Sequence, residues 1–488
     1  MRFLILAHRY TGIAIGFVVA AWCMSGFVML YVQYPEFTDS ERVVGLDVLD
    51  LSGCCAARSR PGTAAVSAAL ASEGLRRVRV EMLAGQPVLR TFHGSGQIVV
   101  DLTNGRVRPG LDASDATDIS RAFQARMGLS GQVDSLGSIT RDQWTVYDFY
   151  RPHRPLHHFA LDDAARTEWY VSGTTGEVLQ ITTGRERFWN WLGSVPHWIY
   201  FTALREHTFA WSQTVLGLTF VSLFLTAIGM YIGIARLGAG RRGSASPYRG
   251  WMLWHHYTGL AFGALVLTWL LSGFLSLNPW GALEGRSFAG ERARLRQGDL
   301  PAEHVSAMIA GLASATLPSG TVRLDSSLVL GELSFIAWNG HGERRRLDAK
   351  TLRAAPATGQ SMADAAAALR PQATIRDEGW LNDDDAYYFS HHTGVEFPVY
   401  RIQYEDGERF YLDAVTGELV HGVDTARQRY RWLFEAVHRG DFFRLLRTRP
   451  VWDFVMLPLL IGVTVSALTG TWLGFKRVTG WRLGRRRN

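Results

Sequence analysis

Four windows of this chain lack Asp, Glu, Lys and Arg almost entirely: Tyr10 to Tyr34, Ala210 to Ala235, Gly250 to Gly281 and Phe454 to Phe475. Each reaches the roughly 20 residues that a helix needs to cross about 30 Å of hydrocarbon. The pattern predicts transmembrane helices over 1–35, 210–235, 250–281 and 453–476. The first window is too long for a signal-peptide core of roughly 7–15 residues, and a near copy of it lies mid-chain. Between the helices the pattern changes: 36–209 and 282–452 are long, mixed segments, 236–249 is a short link, and 477–488 is a tail. Amphipathic stretches such as Ala64 to Leu75, Ile119 to Met127, Ala302 to Ala313 and Met362 to Leu369 alternate there with short strand patterns that run into polar turns. The fold class read from this is an integral membrane α-helical protein of four transmembrane helices in two repeats, carrying small α+β modules, two per half.

Charge gives the orientation. Arg2 and Arg9, then Arg236, Arg241, Arg242 and Arg249, then Lys476, Arg477, Arg482, Arg485, Arg486 and Arg487 fall at the ends of the apolar windows with no acid among them. The positive-inside rule puts all three groups in the cytoplasm, and the two long segments outside it, in the periplasm of a bacterial inner membrane. The net charge of +7 then reflects topology, with the lipid bilayer as partner and no nucleic acid required. Cys54 and Cys55 lie in the outer segment and Cys23 in the first helix; their spacing suits no metal site.

The two halves repeat. Ala7-His8-Arg9-Tyr10-Thr11-Gly12 continues through Trp22, Ser25 and Gly26, and Trp254-His255-His256-Tyr257-Thr258-Gly259 continues through Trp269, Ser272 and Gly273; 255 minus 8 and 269 minus 22 both give 247. Trp191, His197, Trp211, Gly229 and Gly233 match Trp432, His438, Trp452, Gly470 and Gly474 at an offset of 241. Repeats of equal topology are related by an axis along the membrane normal.

A histidine inside a membrane segment is costly when unpaired. At 100° per residue His8 shares a face with Gly12, Val19, Trp22 and Gly26, and His255 repeats that face, so open space lies beside each imidazole. A haem held between His8 and His255 uses both the histidines and the space, with His256 in reserve. Glycines at this spacing also serve close helix packing, which leaves the paired histidines without a reason. His197 and His438 stand just before the returning helices and form a second pair, read either as outer haem ligands, with His207 in reserve, or as interfacial histidines beside an aromatic belt. Trp22 and Trp269 are expected to fill space between the two levels. Bis-histidine ligation leaves no open position on iron, so such haems transfer electrons.

Tyr170 to Val178, with Thr175-Gly176-Glu177, matches Tyr411 to Leu419, with Thr416-Gly417-Glu418. Together with the histidine-to-Ser-Gly helices and the Tyr387 to His392 and Pro398 to Arg401 stretches, these turns make the chain resemble the PepSY-associated transmembrane helix family. The resemblance covers most of the chain, although Tyr150 to His158 departs from the family's pattern. It implies PepSY modules, two b-type haems and ferric-siderophore reductase activity. The expected function is an inner-membrane oxidoreductase that passes electrons from the cytoplasmic side to a ferric siderophore outside, releasing ferrous iron. His153, His157, Tyr388, His391 and Arg401 are the candidate substrate contacts. Gly238-Ala239-Gly240-Arg241-Arg242-Gly243 lacks the strand and helix of a dinucleotide site, so the donor is an external cytoplasmic reductase or a quinol. The alternative is a haem-free PepSY membrane protein that binds a protein or peptide and regulates a protease or sensor.

Overall fold

The computed structural model describes residues 1–488 apart from 53, 55–59, 72–73, 95, 241–244, 391–393 and 486–488. Cys55, His391, His392 and the second half of the Gly238 to Gly243 motif therefore lie outside the described residues. Among the described residues four helices are long and apolar enough to cross a membrane: Arg2–Met29, Thr208–Arg236, Trp251–Ser276 and Val451–Gly480. Large apolar side chains such as Phe17, Phe220 and Phe454 stand on their outward faces, 71%, 63% and 77% exposed. That is the wrong side for a water-soluble bundle and suits lipid.

The first helix packs against the second and fourth, and the third packs against the same two. The twin histidine helices are therefore diagonal across a ring of four. Small residues let the backbones close up. Thr471 Oγ1 donates to the Gly16 carbonyl at 3.0 Å, where a Cβ on Gly16 would meet that oxygen at 3.4 Å.

Outside the bundle lie three antiparallel sheets. In the first half β1 (Arg77–Leu83), β2 (Gln86–His93) and β3 (Gly96–Asp101) precede β4 (Val133–Ile139), β5 (Leu156–Leu161), β6 (Glu168–Ser172) and β7 (Val178–Thr182). The second half repeats the scheme with β8 (Thr321–Val329), β9 (Glu332–Asn339), β10 (Arg344–Asp348), β11 (Ile375–Leu381), β12 (Val399–Tyr404), β13 (Arg409–Asp413) and β14 (Leu419–Val423). The strands β4 to β7 and β11 to β14 form two four-stranded sheets. The remaining six merge into one sheet of order β10-β9-β8-β1-β2-β3, which reads the same outward from its centre.

That centre is the pairing of β1 with β8, where Arg79 faces Asp325, Val80 faces Leu324 and Glu81 faces Arg323. Alternation sends Val78, Val80, Leu324 and Leu328 into one core with Leu70, Val305 and Phe335. The opposite face carries the charges and is buried too. Arg79 pairs with Asp325 at 2.8 Å and Glu177 at 3.3 Å, Arg323 with Asp325 at 2.8 Å, and Arg90 with Glu81 at 2.6 Å.

The Thr-Gly-Glu turns cover this polar face. Gly176 and Gly417 adopt φ of +73° and +76°, a conformation costly for any residue with a Cβ. The Ser172 hydroxyl accepts from the amides of Thr174 and Thr175, and the Asp413 carboxylate from those of Val415 and Thr416. Each turn then aims its glutamate at the central sheet, Glu177 at Arg79 and Glu418 at the Ser327 hydroxyl, 2.9 Å away.

Burial alone would raise the Asp325 and Glu177 carboxyls, but the neighbouring arginines outweigh it and hold both down to about 2. The stability they contribute is present above their unfolded values near about 4 and is lost as pH falls toward about 2. Acid unfolding of the outer domain is expected in that window, read by circular dichroism. Asp325→Ala strands Arg79 and Arg323 without their shared counterion and should cost about 3–5 kcal/mol in denaturant unfolding; a loss under about 1 kcal/mol would mean that the network does not hold the halves together.

Candidate functional site

Each of the four repeated histidines is tied by its Nδ1 and leaves Nε2 without a hydrogen bond among the described residues. His8 Nδ1 lies 3.0 Å from the Leu225 carbonyl on the second long helix. His255 Nδ1 lies 3.2 Å from the Ser466 carbonyl on the fourth, with Thr469 Oγ1 at 3.3 Å. Leu225 and Ser466 are themselves related by the offset of 241. A carbonyl only accepts, so Nδ1 carries the proton in both rings and Nε2 presents a lone pair.

The outer pair repeats the arrangement. The short helix Ser194–Trp198 packs against the first long helix and Val437–Arg439 against the third. His197 Nδ1 reaches Ser25 Oγ at 3.1 Å and the Trp22 carbonyl at 3.2 Å, and His438 Nδ1 reaches Ser272 Oγ at 3.0 Å. Each serine hydroxyl donates in turn to the carbonyl of Trp22 or Trp269. Burial pushes His197 down to about 4; burial, and then the neighbouring His197, push His438 down to about 3. Both rings are neutral at ordinary pH.

Within each pair the two rings are neighbours. The His8 and His255 centres are 6.2 Å apart with planes at 28°, and the His197 and His438 centres are 6.1 Å apart with planes at 73°. A metal–imidazole bond of about 2.0–2.1 Å, plus roughly 1.1 Å from Nε2 to the ring centre, doubles to about 6.3 Å for two imidazoles on opposite sides of one metal atom. Both separations meet that requirement. Among the described residues no group of three or more His, Cys, Asp or Glu converges as it would on a bare ion.

No family model and no curated protein matches this chain. The geometry therefore stands on its own residues.

The two levels differ in how the rings are accommodated. A Cβ on Gly229 would stand 2.5 Å from His8 Cε1, and one on Gly470 would stand 2.8 Å from His255 Cε1. The imidazoles occupy volume that only glycine vacates. Around His197 and His438 opens a cavity of about 570 Å³ lined by Trp22, Gly26, Trp269 and Gly273 among others. Trp22 Nε1 is buried at its wall without a partner among the described residues. The two tryptophans therefore border open space at the outer level.

The other candidates fall elsewhere. His256, one residue from His255, is buried and spends both nitrogens, on Ser246 Oγ at 2.8 Å and the Gly233 carbonyl at 2.9 Å. His207 is exposed beside Glu206. His153 lines a larger outer cavity, with Nδ1 3.1 Å from Ser172 Oγ, while His157 is buried with Nε2 3.4 Å from the Leu111 carbonyl. Tyr388 stacks on Tyr411, and Arg401 pairs with Asp377 at 2.8 Å, both in the second half. Cys54 is disulfide-bonded and Cys23 is a free thiol. The serines that anchor the outer histidines were legible as the repeated Ser25-Gly26 and Ser272-Gly273, and the glycines behind the inner ones as Gly229 and Gly470.

Gly229→Ala and Gly470→Ala must push an imidazole aside and should cost about 1–3 kcal/mol. Gly217, with nothing within 4 Å of an added Cβ, serves as control, since Gly217→Ala should gain up to about 1 kcal/mol of helix propensity. Unfolding in mixed detergent reads the difference, and equal stability of the Gly229 and Gly217 variants would mean that His8 is free to move.

Proposed function

We propose that this chain is a di-haem b reductase of a bacterial inner membrane, which takes electrons on the cytoplasmic side and delivers them to a ferric siderophore in the periplasm. The observation that carries the reading is the pair of histidine couples, each with ring centres at the separation that two imidazoles binding one metal atom would have and each with Nδ1 already hydrogen-bonded, which leaves Nε2 for a metal. Haem held at each couple would supply reversible one-electron transfer. The open volume beside His197 and His438 and the Trp22 Nε1 that has no partner among the described residues fit a flat macrocycle at the outer couple, while Gly229 and Gly470 let the inner imidazoles seat against the neighbouring helices.

The chain's own residues do the positioning. Nδ1 donation to Leu225, Ser466, Trp22 and Ser272 fixes the tautomer and the ring azimuth, as outer-shell partners do at other metal centres. His8 and Trp22 are 14 residues apart on one helix, which at 1.5 Å per residue puts the couples roughly 21 Å apart along it, most of the way across a bilayer core of about 30 Å. The basic segments at Arg2, Arg236 and Arg477 mark the His8 side as cytoplasmic. An external quinol or flavin reductase is the donor. On the far side, reduction lowers the charge on iron and weakens its hold on hard oxygen ligands. The resemblance to the PepSY-associated transmembrane helix family supports this reading, and the Thr-Gly-Glu turns are its structural counterpart.

Purified protein from haem-replete cells should contain two haems per chain, and His8→Ala, His255→Ala, His197→Ala and His438→Ala should each remove one. The ring planes add a second readout. The 28° couple should give a rhombic low-spin ferric signal in electron paramagnetic resonance, and the 73° couple a strongly anisotropic one. A folded but colourless preparation would overturn the reductase reading in favour of a haem-free PepSY regulator.

A further inference from the structure

The cavity of about 570 Å³ around His197 and His438 adjoins a second one of about 1,560 Å³ in the outer domain, and the two share Gln33, Tyr147, Trp198 and Arg439 as walls. Charge is distributed differently in the two. The outer cavity is bordered by six arginines and six carboxylates, which balance. The cavity at the histidines is lined mainly by apolar and aromatic side chains, and its two imidazoles are neutral. Arg439 is the one charged residue on its wall among the described residues.

Arg439 stands where the first half has Trp198, at the offset of 241. The backbone is clamped alike at the two places. Trp211 Nε1 donates to the Trp198 carbonyl at 2.9 Å, and Trp452 Nε1, its counterpart, donates to the Arg439 carbonyl at 2.6 Å. Gly440, at φ of +71°, closes the short helix Val437–Arg439. The residue directly after His438 is thereby held in place, and one scaffold presents an indole in the first half and a guanidinium in the second.

While the carbonyl of Arg439 is bonded, its guanidinium makes no ion pair or hydrogen bond among the described residues. The two acids nearest to it in sequence are engaged by another arginine. Asp441 pairs with Arg431 at 2.7 Å, and Glu435, one turn back, lies 3.8 Å from Arg431 Nε. A cation at the edge of an apolar cavity loses hydration on that side. A carboxylate brought to the same edge offsets the loss through paired, charge-assisted hydrogen bonds.

We propose that Arg439 anchors a carboxylate of the haem at the outer couple, which sets the acidic edge of the macrocycle at the walls shared by the two cavities and favours the ferrous state. The proposal rests on the haem-binding part of the reductase reading. Its two carboxylates are the anionic side groups of a b-type haem, and the cavity at the histidines supplies one cation to meet them. Reduction adds one electron from the external quinol or reduced flavin to ferric iron and gives ferrous iron, with no bond made or broken. The haem gains one negative charge, which a nearby cation stabilises. Trp198 carries no charge, so the effect comes from the second half alone.

Full-length haem-loaded protein in detergent is titrated spectroelectrochemically, with the two couples told apart by their electron paramagnetic resonance signals. Arg439→Gln should move the ferric-to-ferrous ratio of the 73° couple about tenfold toward ferric at a given potential, a fall of about 59 mV in its midpoint. The 28° couple, roughly 21 Å away along the helix, should not shift. Arg439→Lys keeps the charge and should restore most of the midpoint. If Arg439→Gln does not fold, the wild-type chain is loaded with haem dimethyl ester, whose carboxylates are masked, and the outer couple should hold it at least about tenfold less tightly than haem. An unmoved midpoint in Arg439→Gln, an equal fall in both couples, no restoration by lysine, or equal uptake of the ester overturns the proposal. Haem content and reduction of a ferric chelate are measured on the same samples. Haem at both couples with no effect of residue 439 sinks this inference only, an effect of residue 439 without chelate reduction sinks the reductase reading and leaves the anchor, and a wild type without haem sinks both.

Discussion

The bond from each imidazole Nδ1 to a neighbouring helix decides what these histidines can do. An imidazole on an apolar helix has two nitrogens to satisfy, and a free ring turns about its last torsion toward whichever partner is nearest. Leu225 and Ser466 offer carbonyl oxygens that already accept the helical amide four residues on and retain a second lone pair. Interhelical hydrogen bonds of this kind contribute only about 0.6–2 kcal/mol, too little to explain the bundle. Their consequence is direction. With the proton committed to Nδ1, the lone pair of Nε2 stays free, and the twin ring on the diagonal helix has its centre 6.2 Å away. His256 shows the contrast: its two nitrogens are spent on Ser246 and Gly233, and nothing remains to present.

Direction is useful only if the diagonal helices keep their distance. Gly229 and Gly470 set the depth to which the inner rings sink, since a single methyl group at either place would overlap an imidazole. At the outer level the short helices that carry His197 and His438 are bound to the long ones through Ser25 and Ser272. Beyond the bundle, β1 and β8 pair at the centre of a common sheet, and Arg79, Asp325 and Arg323 bury their charges across that seam. Strand pairing between the halves at one end and histidine pairing at the other hold the same two repeats in one relation.

Much of this was legible in the chain, for reasons that separate local from distant constraints. Hydropathy located the four long helices within a few residues, and the Thr-Gly-Glu repeat marked tight turns because only glycine adopts φ near +75° there without strain. Two modules per half were expected, and the first module of each half joins the other in a six-stranded sheet. Nothing local announces this. Arg79 and Glu81 alternate with Val78 and Val80 as in a strand with one wet face, and only the arrival of Asp325, Arg323 and Glu177 from elsewhere in the chain turns that face into a buried one. His153, His157, Tyr388 and Arg401 stood in similar sequence contexts, yet the fold gives His153 to the large cavity and places Tyr388 and Arg401 in the other half. Contacts of long sequence separation decide such cases.

A duplicated protein that kept perfect symmetry would offer two equal outer surfaces. The outer histidines and their serines stay equivalent here, while the residues just beyond them do not. The second half fills its recess with Arg431 and Asp441, and a π-helical turn over Arg431–Ala436 leads to His438. The first half has Asn190 and Tyr200 at those positions, and Arg205 resting on Tyr147, Tyr200 and Trp211. The second half thus spends the Arg431 guanidinium on a buried ion pair, whereas Arg205 of the first half lies over aromatic faces and donates to Thr208 Oγ1 at 2.9 Å. The inner couples face a constraint that forbids such drift, because both rings of a couple must address one point. Symmetry is therefore retained where two side chains share a partner and relaxed where each half meets solvent alone.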